Sequence, residues 1–250
     1  MFAGMTTAAT ALDAFQTSVE ATANNLANVN TTAFKRSTIN FQDLVYTGPA
    51  NLQVGNGVKV SDISTRDFKQ GGEEATGREL DVFISGNGFF SVQQSDGTIK
   101  YTRDGSFQKD ALGRLVTSTG NIVQPPITFP ADTVSTSIGA DGVVSVVTGS
   151  EPDKIKVLGQ IQLTSFPNPS GLSQEANNLF GETPASGTAT TAIPGTNGLG
   201  SVKQKSLEDS NVDMTSEMTQ LVTAQRAYDA NSRVLTTSYQ LVGSALDMIH

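Results

Sequence analysis

Residues able to do acid–base or metal chemistry are scarce in this sequence. It holds one histidine, His250, and no cysteine, which excludes thiolate metal sites and leaves only a frayed terminal histidine for a catalytic triad. Glu73 and Glu74 are adjacent, but no second carboxylate lies in a comparable apolar setting. Three aspartates precede glycine, where a carboxylate normally hydrogen-bonds its own turn: Asp96, Asp104 and Asp141. We therefore predict no enzymatic activity and no catalytic, cofactor-binding or metal site.

Pattern and charge disfavour several other functions. The segments GNGVKV and GNGFF lack the lysine–hydroxyl pair of a phosphate-binding loop. A net charge of −8 argues against binding nucleic acid, and the adjacent basic pair Lys35-Arg36 is interpreted as a solvated patch. No run approaches the ~18 apolar residues of a membrane span. Because the first twenty or so residues lack the pattern of a signal peptide, we expect export, if any, without a cleaved signal.

Polar amides are concentrated in one stretch, ANNLANVNTTAFKR at residues 23–36. Asparagine is a poor helix former because its amide competes for nearby backbone groups. Leu26 and Val29 nevertheless continue an apolar helical repeat, so we predict a helix that runs to about residue 28. The amides off that repeat are then expected to contact neighbouring subunits; they belong to Asn24, Asn25 and Asn28.

Both ends of the chain carry a seven-residue apolar repeat, which is typical of helices that pair as a coiled coil. At the amino end the two series are Met5, Leu12, Val19 and Leu26, and Met1, Ala8, Phe15, Thr22 and Val29. At the carboxyl end they are Met214, Leu221, Tyr228, Leu235, Val242 and Ile249, and Met218, Gln225, Ser232, Tyr239 and Leu246. The repeats predict an antiparallel or parallel helix pair, with Ser210 or Asp213 as the N-cap of the second helix.

The remaining faces of both helices are small and weakly polar, as at Ala8–Ala11 and at Thr223 and Ala224. A solvated helix usually carries Glu/Lys pairs there. We therefore expect neighbours on several sides and a helical part that completes its folding on assembly.

From about Leu80 to Phe166, short Val-, Ile-, Phe- and Thr-rich runs alternate with turn dipeptides every eight or nine residues, which predicts an antiparallel meander. The fold class is therefore α+β, with paired terminal helices and a central all-β domain. We predict a helical domain at residues 1–30 and 211–250, an extended linker at 31–79 and about 201–210, and the β domain at 80–200.

Several long segments resemble one family. ANNLANVNTTAFKR, LDVFISGNGFF, YTRDGSFQKDALGRLVTSTGNIVQ and SNVDMTSEMTQLVTAQRAYDANSRVL are similar to motifs of the bacterial flagellar basal-body rod and hook proteins. QPPITFP, SIGADGVVSV, LGQIQLTSFPNPSGL and NNLFGET resemble the distal-rod branch most. The segment after Tyr46 is shorter than in that branch, and Ala33 stands where the family commonly has glycine, so a left-handed turn is not expected there.

The resemblance implies a structural subunit of the distal rod, exported by the flagellar type III apparatus and self-assembling into a helical tube that transmits torque and encloses the export channel. It implies no cofactor, a homo-oligomeric polymer, and contacts with other rod and hook proteins and with the P- and L-ring proteins around a rod that crosses the periplasm. The inner-tube role falls on Met5, Leu12, Phe15, Val19, Leu26, Met218, Leu221, Tyr228, Leu235 and Val242. The alternatives are a hook or proximal-rod subunit of the same family, or a secreted β-domain binding module with a coiled-coil stalk.

Overall fold

The structure is a computed structural model that describes residues 2–47, 53–60 and 65–247. The terminal His250 and residues 48–52, the middle of the short segment after Tyr46, lie outside the described residues, as do Met1 and Ile249 of the predicted repeats. The described part contains helix α1 (Phe2–Ala27), helix α2 (Met214–Asp247) and twenty β-strands between them. This confirms the predicted α+β class, with a helix near each end of the chain and a β-rich centre.

The first ten strands are β1 (Ser37–Thr38), β2 (Phe41–Thr47), β3 (Gln53–Val60), β4 (Thr65–Arg66), β5 (Glu73–Ala75), β6 (Val82–Ser85), β7 (Phe89–Gln93), β8 (Ile99–Thr102), β9 (Gln108–Lys109) and β10 (Leu115–Val116). The other ten are β11 (Ile122–Gln124), β12 (Thr133–Ile138), β13 (Val143–Thr148), β14 (Glu151–Gln160), β15 (Leu163–Ser165), β16 (Ser173–Gln174), β17 (Leu179–Gly181), β18 (Thr190–Ala192), β19 (Ser201–Gln204) and β20 (Ser206–Glu208).

The chain divides into two compact units. The helical unit comprises the described parts of 1–29, 35–67 and 212–250, and the β unit comprises 30–34 and 68–211. The predicted division at residues 30, 80, 200 and 211 stays a prediction. Residues 201–204 and 206–208, which it assigned to the linker, form β19 and β20.

In the helical unit, α1 and α2 contact each other and run antiparallel, because Asn25 near the end of α1 is hydrogen-bonded to Glu217 near the start of α2. Asp213 is the N-cap of α2: its carboxylate accepts a hydrogen bond from the Thr215 N–H at 3.0 Å. Strands β2 and β3 form an antiparallel hairpin that contacts α1, with the Phe15 and Phe41 ring centroids 5.8 Å apart. Strand β1 pairs with β4.

The β unit is built on one antiparallel sheet, in the order β16-β17-β8-β7-β11-β10-β9, with β15 paired to β7 and β18 paired to β15. A three-stranded sheet β12-β13-β14 and the pairs β6–β19 and β5–β20 accompany it. The core is formed by inward-facing apolar residues of these strands, among them Ile84, Phe90, Leu115, Val144 and Leu163. Strand β13 alternates buried and less buried residues, which fixes its register, whereas β6 and β7 are buried along nearly their whole length.

The predicted turn aspartates are confirmed. Asp96 accepts a hydrogen bond from the N–H of Thr98, Asp104 from that of Ser106, and Asp141 from that of Val143, at 2.9, 2.9 and 3.2 Å. Gly97 and Gly142, which follow two of them, have φ of 87° and 82°, a region that an L-residue enters only at a cost. Each carboxylate therefore holds a tight turn, as expected from an Asp-Gly pair.

Ala33 contradicts expectation, because its φ of 55° is left-handed despite its Cβ. Its N–H donates to the backbone carbonyl of Glu208 at 2.7 Å, and its side chain is buried. The hydrogen bond and the burial of the methyl group together offset the conformational cost of about 1–2 kcal/mol.

Candidate assembly site

Helix α1 places the residues of its predicted repeat at intermediate exposure. Met5, Leu12, Phe15, Val19 and Leu26 are half-buried, whereas its most buried side chains are small or polar: Ala8, Ala11, Ala14, Thr22 and Asn25. These buried positions recur at the three- and four-residue spacing of one helix face. The repeat that begins at Ala8 lies on this face, and its companion runs through Ala11, Ser18 and Asn25. In α1 this companion series lies one residue before the predicted series Leu12, Val19 and Leu26.

Helix α2 shows the same one-residue offset between a predicted and an observed series. Leu221, Leu235 and Val242 are half-buried and Tyr228 is 38% exposed, but Met218 is 50% exposed. The second, less exposed series lies one residue earlier than Met218, Gln225, Ser232 and Tyr239, and consists of Glu217, Ala224, Asn231 and Ser238. The small side chains of Ala224 and Ser238 let two helices approach closely. The predicted roles of both sets in assembly stay predictions.

A polar cluster joins the end of α1, the start of α2 and β1. The Asn25 amide donates to the Glu217 carboxylate at 3.1 Å and to the Ser37 carbonyl at 2.9 Å. In return, the Ser37 N–H donates to the Asn25 side-chain oxygen at 2.9 Å. Asn25 is 2% exposed and Glu217 is 1% exposed. We call this group, with Arg36, the helix-end cluster.

Arg36 completes the electrostatics of the helix-end cluster. Its guanidinium lies 3.6 Å from the Glu217 carboxylate and 3.4 Å from that of Asp67. The Asp67 N–H donates to the Arg36 carbonyl at 3.0 Å, which holds the residue that follows β4 against the helix-end cluster. Arg66 donates to the Lys35 carbonyl, and burial lowers the pKa of the Arg66 guanidinium. Buried charge is thus paired, as low-polarity surroundings require.

The expected role of the three asparagines changes for one of them. Asn25 is buried and both ends of its amide bind within the chain, so it cannot reach a neighbouring subunit; that expectation is wrong for Asn25. The Asn28 amide donates to the Asn24 carbonyl at 2.9 Å, and Asn24 is exposed. Contacts of Asn24 and Asn28 with other subunits stay a prediction.

Sequence reasoning missed Glu217, Ser37 and Asp67, and it misjudged the basic pair. Lys35 is 1% exposed and Arg36 is half-buried, so the pair is not a solvated patch. A usable signal was present: Glu217 is the single acidic residue in the first turn of α2, at a spacing that belongs to the buried heptad series. An ionised residue there requires a buried partner.

Helix α2 carries large apolar side chains that are 46–59% exposed. They are Met214, Met218, Val222, Val234, Tyr239 and Leu241. The less exposed positions of α2 include large side chains, at Leu221, Leu235 and Val242, as well as small ones. At about 100° per residue the six exposed side chains lie at several angles around α2 and not along one stripe, and exposed apolar surface of this extent usually marks a surface that another protein covers.

Other kinds of site find little support in the described part of the chain. Within residues 2–47, 53–60 and 65–247, no three histidine, cysteine, aspartate or glutamate side chains are grouped so that they could hold a metal ion. Over the same residues, neither helix has a stretch both long and apolar enough to cross a membrane.

Comparison with known proteins places the motifs in one family. The family model described as flagella basal body rod protein matches residues 5–35, that of the flagellar hook protein FlgE/F/G D1 domain matches 83–146, and that of the flagellar basal body rod FlgEFG protein C-terminal matches 203–248. The first and third of these models cover most of α1 and all of α2. Of the helix-end cluster they include Asn25 and Glu217.

Relatives that match over nearly their full length belong to the same family as the matching family models. The chain is 43% identical to the flagellar basal-body rod protein FlgG of Buchnera aphidicola subsp. Baizongia pistaciae, over 94% of this chain and 95% of the relative. It is 41% identical to the FlgG protein of Borreliella burgdorferi over 98% of each chain, and 30% identical to the flagellar hook-basal body complex protein FlhP of Bacillus subtilis over 97% of this chain and 98% of the relative. Identity of this extent, from α1 through α2, shows that the chain belongs to the flagellar basal-body rod protein family.

Proposed function

We propose that this chain is a structural subunit of the distal flagellar rod, which self-assembles into a helical tube, transmits torque and encloses the export channel. Its membership of the flagellar basal-body rod protein family supports the role of a rod subunit. The paired terminal helices are proposed to form a coiled-coil inner tube, and the β unit an outer layer. The proposal includes export without a cleaved signal, a place in the basal body across the periplasm, and no enzymatic activity.

The single observation that carries the assembly proposal is the set of exposed large apolar side chains on α2. Six large apolar side chains on this helix are 46–59% exposed, while its 34 residues include few charges: Glu217, Arg226, Asp229, Arg233 and Asp247. Arg226, Asp229 and Arg233 have the three- and four-residue spacing of charged pairs on a solvated helix, but residues 218–225 and 234–246 hold no charge. Exposed Met218 and Tyr239, which were predicted to pack within a helix pair, are instead proposed to pack against neighbouring subunits.

The partners proposed for the tube are further copies of this chain, other rod and hook proteins, and the P- and L-ring proteins. A hook or proximal-rod role is a second candidate, supported by the likeness to a protein named for the hook-basal body complex. A secreted binding module with a coiled-coil stalk predicts a small closed oligomer instead of tubes.

The test uses the full chain with Met218→Lys and Tyr239→Lys introduced together, because two buried unpaired charges would oppose packing between subunits. Leu112→Lys is the matched control, since Leu112 is 69% exposed on a β-unit turn. Electron microscopy and sedimentation should show tubes for the parent and the control and none for the double variant. Tubes of equal yield from the double variant would contradict the proposed role of the α2 surface.

Hydrogen exchange distinguishes a helical part that completes its folding on assembly from a preformed stalk. We expect the amides of α1 and α2 to exchange much faster in the dilute monomer than in tubes, while the β-unit core is protected in both. Full protection of both helices in the monomer, together with a small closed oligomer in light scattering, would favour the binding-module alternative.

A further inference from the structure

The helix pair has a repeating interface that does not by itself define one alignment. On α2 the apolar series Leu221, Tyr228, Leu235 and Val242 repeats every seven residues, and on α1 so do Ala8, Phe15 and Thr22. A slip of seven residues, about 10 Å along the axis, would again place apolar positions of one helix opposite apolar positions of the other. Apolar contact therefore distinguishes such alignments poorly.

Two polar residues of the less exposed α2 series, Asn231 and Ser238, do not favour one alignment of the helices over another. The Asn231 amide donates to the Ala227 carbonyl at 2.8 Å, and the Ser238 hydroxyl donates to the Val234 carbonyl at 2.8 Å. Both hydrogen bonds lie inside α2 and would persist wherever α1 lay. Ala224 has no polar side-chain atom.

The helix-end cluster differs, because its hydrogen bonds cross between elements. A slip in one direction would place Ala224 opposite Asn25, and a slip in the other would place Ser18 opposite Glu217. In both cases the Asn25–Glu217 bond of 3.1 Å is lost, and a buried carboxylate or amide lacks the partner that it has now. Leaving such a group unpaired costs more than the bond itself contributes.

We propose that the helix-end cluster is a register lock: Asn25 and Glu217 select one alignment of α1 against α2 from several that the seven-residue repeats permit. Arg36 and Ser37 position the two side chains, through the 3.6 Å ion pair and the backbone bonds to the asparagine amide. The register lock joins residues of one chain, so this proposal does not depend on whether the chain forms tubes.

Cysteine cross-linking tests the lock directly, since the chain has no cysteine of its own. Gln16 and Asp229 line the same groove between α1 and α2 and report the observed alignment when both are replaced by cysteine. Gln16→Cys with Val222→Cys or with Thr236→Cys reports a slip of seven residues in either direction. A thiol cross-linker shorter than the ~10 Å slip is applied to the full chain, and the cross-linked fractions are compared.

We expect the parent to favour the observed pair at least tenfold over either slipped pair. The variant Asn25→Leu with Glu217→Leu keeps the helices apolar and should lower that ratio at least tenfold, with helix content by far-ultraviolet circular dichroism unchanged. The matched control, Asn24→Leu with Gln220→Leu, changes exposed neighbours and should keep the parent ratio.

Two milder variants keep the test informative if the double leucine variant fails to fold. Asn25→Ala deletes the amide and should shift the ratio in the same direction. Glu217→Gln retains a hydrogen-bonding partner for Asn25 and should stay within threefold of the parent. An unchanged ratio in Asn25→Ala, equal cross-linking of observed and slipped pairs in the parent, or a loss in Glu217→Gln as large as in the leucine variant would overturn the lock.

Discussion

A buried ion pair in the β unit gives the sharpest stability prediction. The Arg103 guanidinium lies 3.7 Å from the Glu208 carboxylate, and the side chains are 4% and 0% exposed. Arg103 also donates to the Gly86 carbonyl at 2.8 Å, and the second Glu208 oxygen accepts from the Gly71 N–H at 2.9 Å. Burial lowers the pKa of Arg103, and the Glu208 charge acts in the opposite direction.

Glu208→Gln removes the charge and keeps the size of the side chain. It leaves an acceptor for the Gly71 N–H but takes away the carboxylate that faces a buried guanidinium. Breaking a buried pair from one side typically costs about 3–5 kcal/mol. Because 3.7 Å is longer than a charge-assisted hydrogen bond, we expect the low end, about 3 kcal/mol. For a unit of this size that lowers the melting temperature by roughly 6–12 °C.

Urea unfolding of the full chain measures the change, and hydrogen exchange of the β6 amides reports it for the β unit alone. Glu151→Gln is the matched control, since Glu151 pairs with Lys154 at an exposed site and should change the unfolding free energy by less than about 1 kcal/mol.

A second variant separates loss of the pair from loss of packing. Arg103→Met with Glu208→Leu replaces both charges by apolar groups and should regain most of the stability that Glu208→Gln loses. An unfolding free energy of Glu208→Gln within about 0.5 kcal/mol of the parent would refute the reasoning, because a buried guanidinium that loses its carboxylate is expected to destabilise the fold by more than that.

Three further outcomes test the backbone and the protonation state of the β unit. Gly105→Ala should lower the unfolding free energy by about 3 kcal/mol, because an added Cβ would lie 1.8 Å from the Val82 carbonyl oxygen; native-like stability in a melt would contradict the close approach. Lys205→Gly should raise it by about 0.5–1 kcal/mol, since exposed Lys205 has a left-handed φ of 63°. Burial, with a smaller effect of Glu182, raises the pKa of Tyr101, so its stabilising effect is complete below the ordinary pKa and is lost as pH rises through the raised one. Tyr101→Phe should therefore flatten the alkaline fall in stability, and an identical pH profile would show that another group titrates.

The β unit could be anticipated because its signals are local. Asp-Gly pairs mark turns whatever surrounds them, since the carboxylate and the positive φ act within four residues. Asp96, Asp104 and Asp141 accordingly hold the turns predicted for them. The pairings of β5 with β20 and of β6 with β19 join segments more than a hundred residues apart. No local sequence pattern predicts such pairings.

The helix-end cluster could not be anticipated because its members are far apart in sequence. Asn25, Arg36, Asp67 and Glu217 meet only when α1, β1, β4 and α2 are assembled. The asparagine-rich stretch did signal a special helix end. It did not signal which amide turns inward, since Asn24 and Asn25 differ only by the 100° rotation between neighbouring helical residues.

The one-residue offset on α2 has a physical cause that ranking by hydrophobicity misses. A heptad is usually assigned to the largest apolar residues, which selects Met218 and Tyr239. In α2 these side chains are exposed, and Ala224 and Ser238 occupy the less exposed series. Close approach of two helices favours small side chains, whereas contact with a more distant neighbour requires large ones to fill the space. Under the proposed function the exposed large side chains of α2 also become buried in the tube, so hydrophobicity alone does not separate the residues of α2 that pack within the chain from those that pack between subunits.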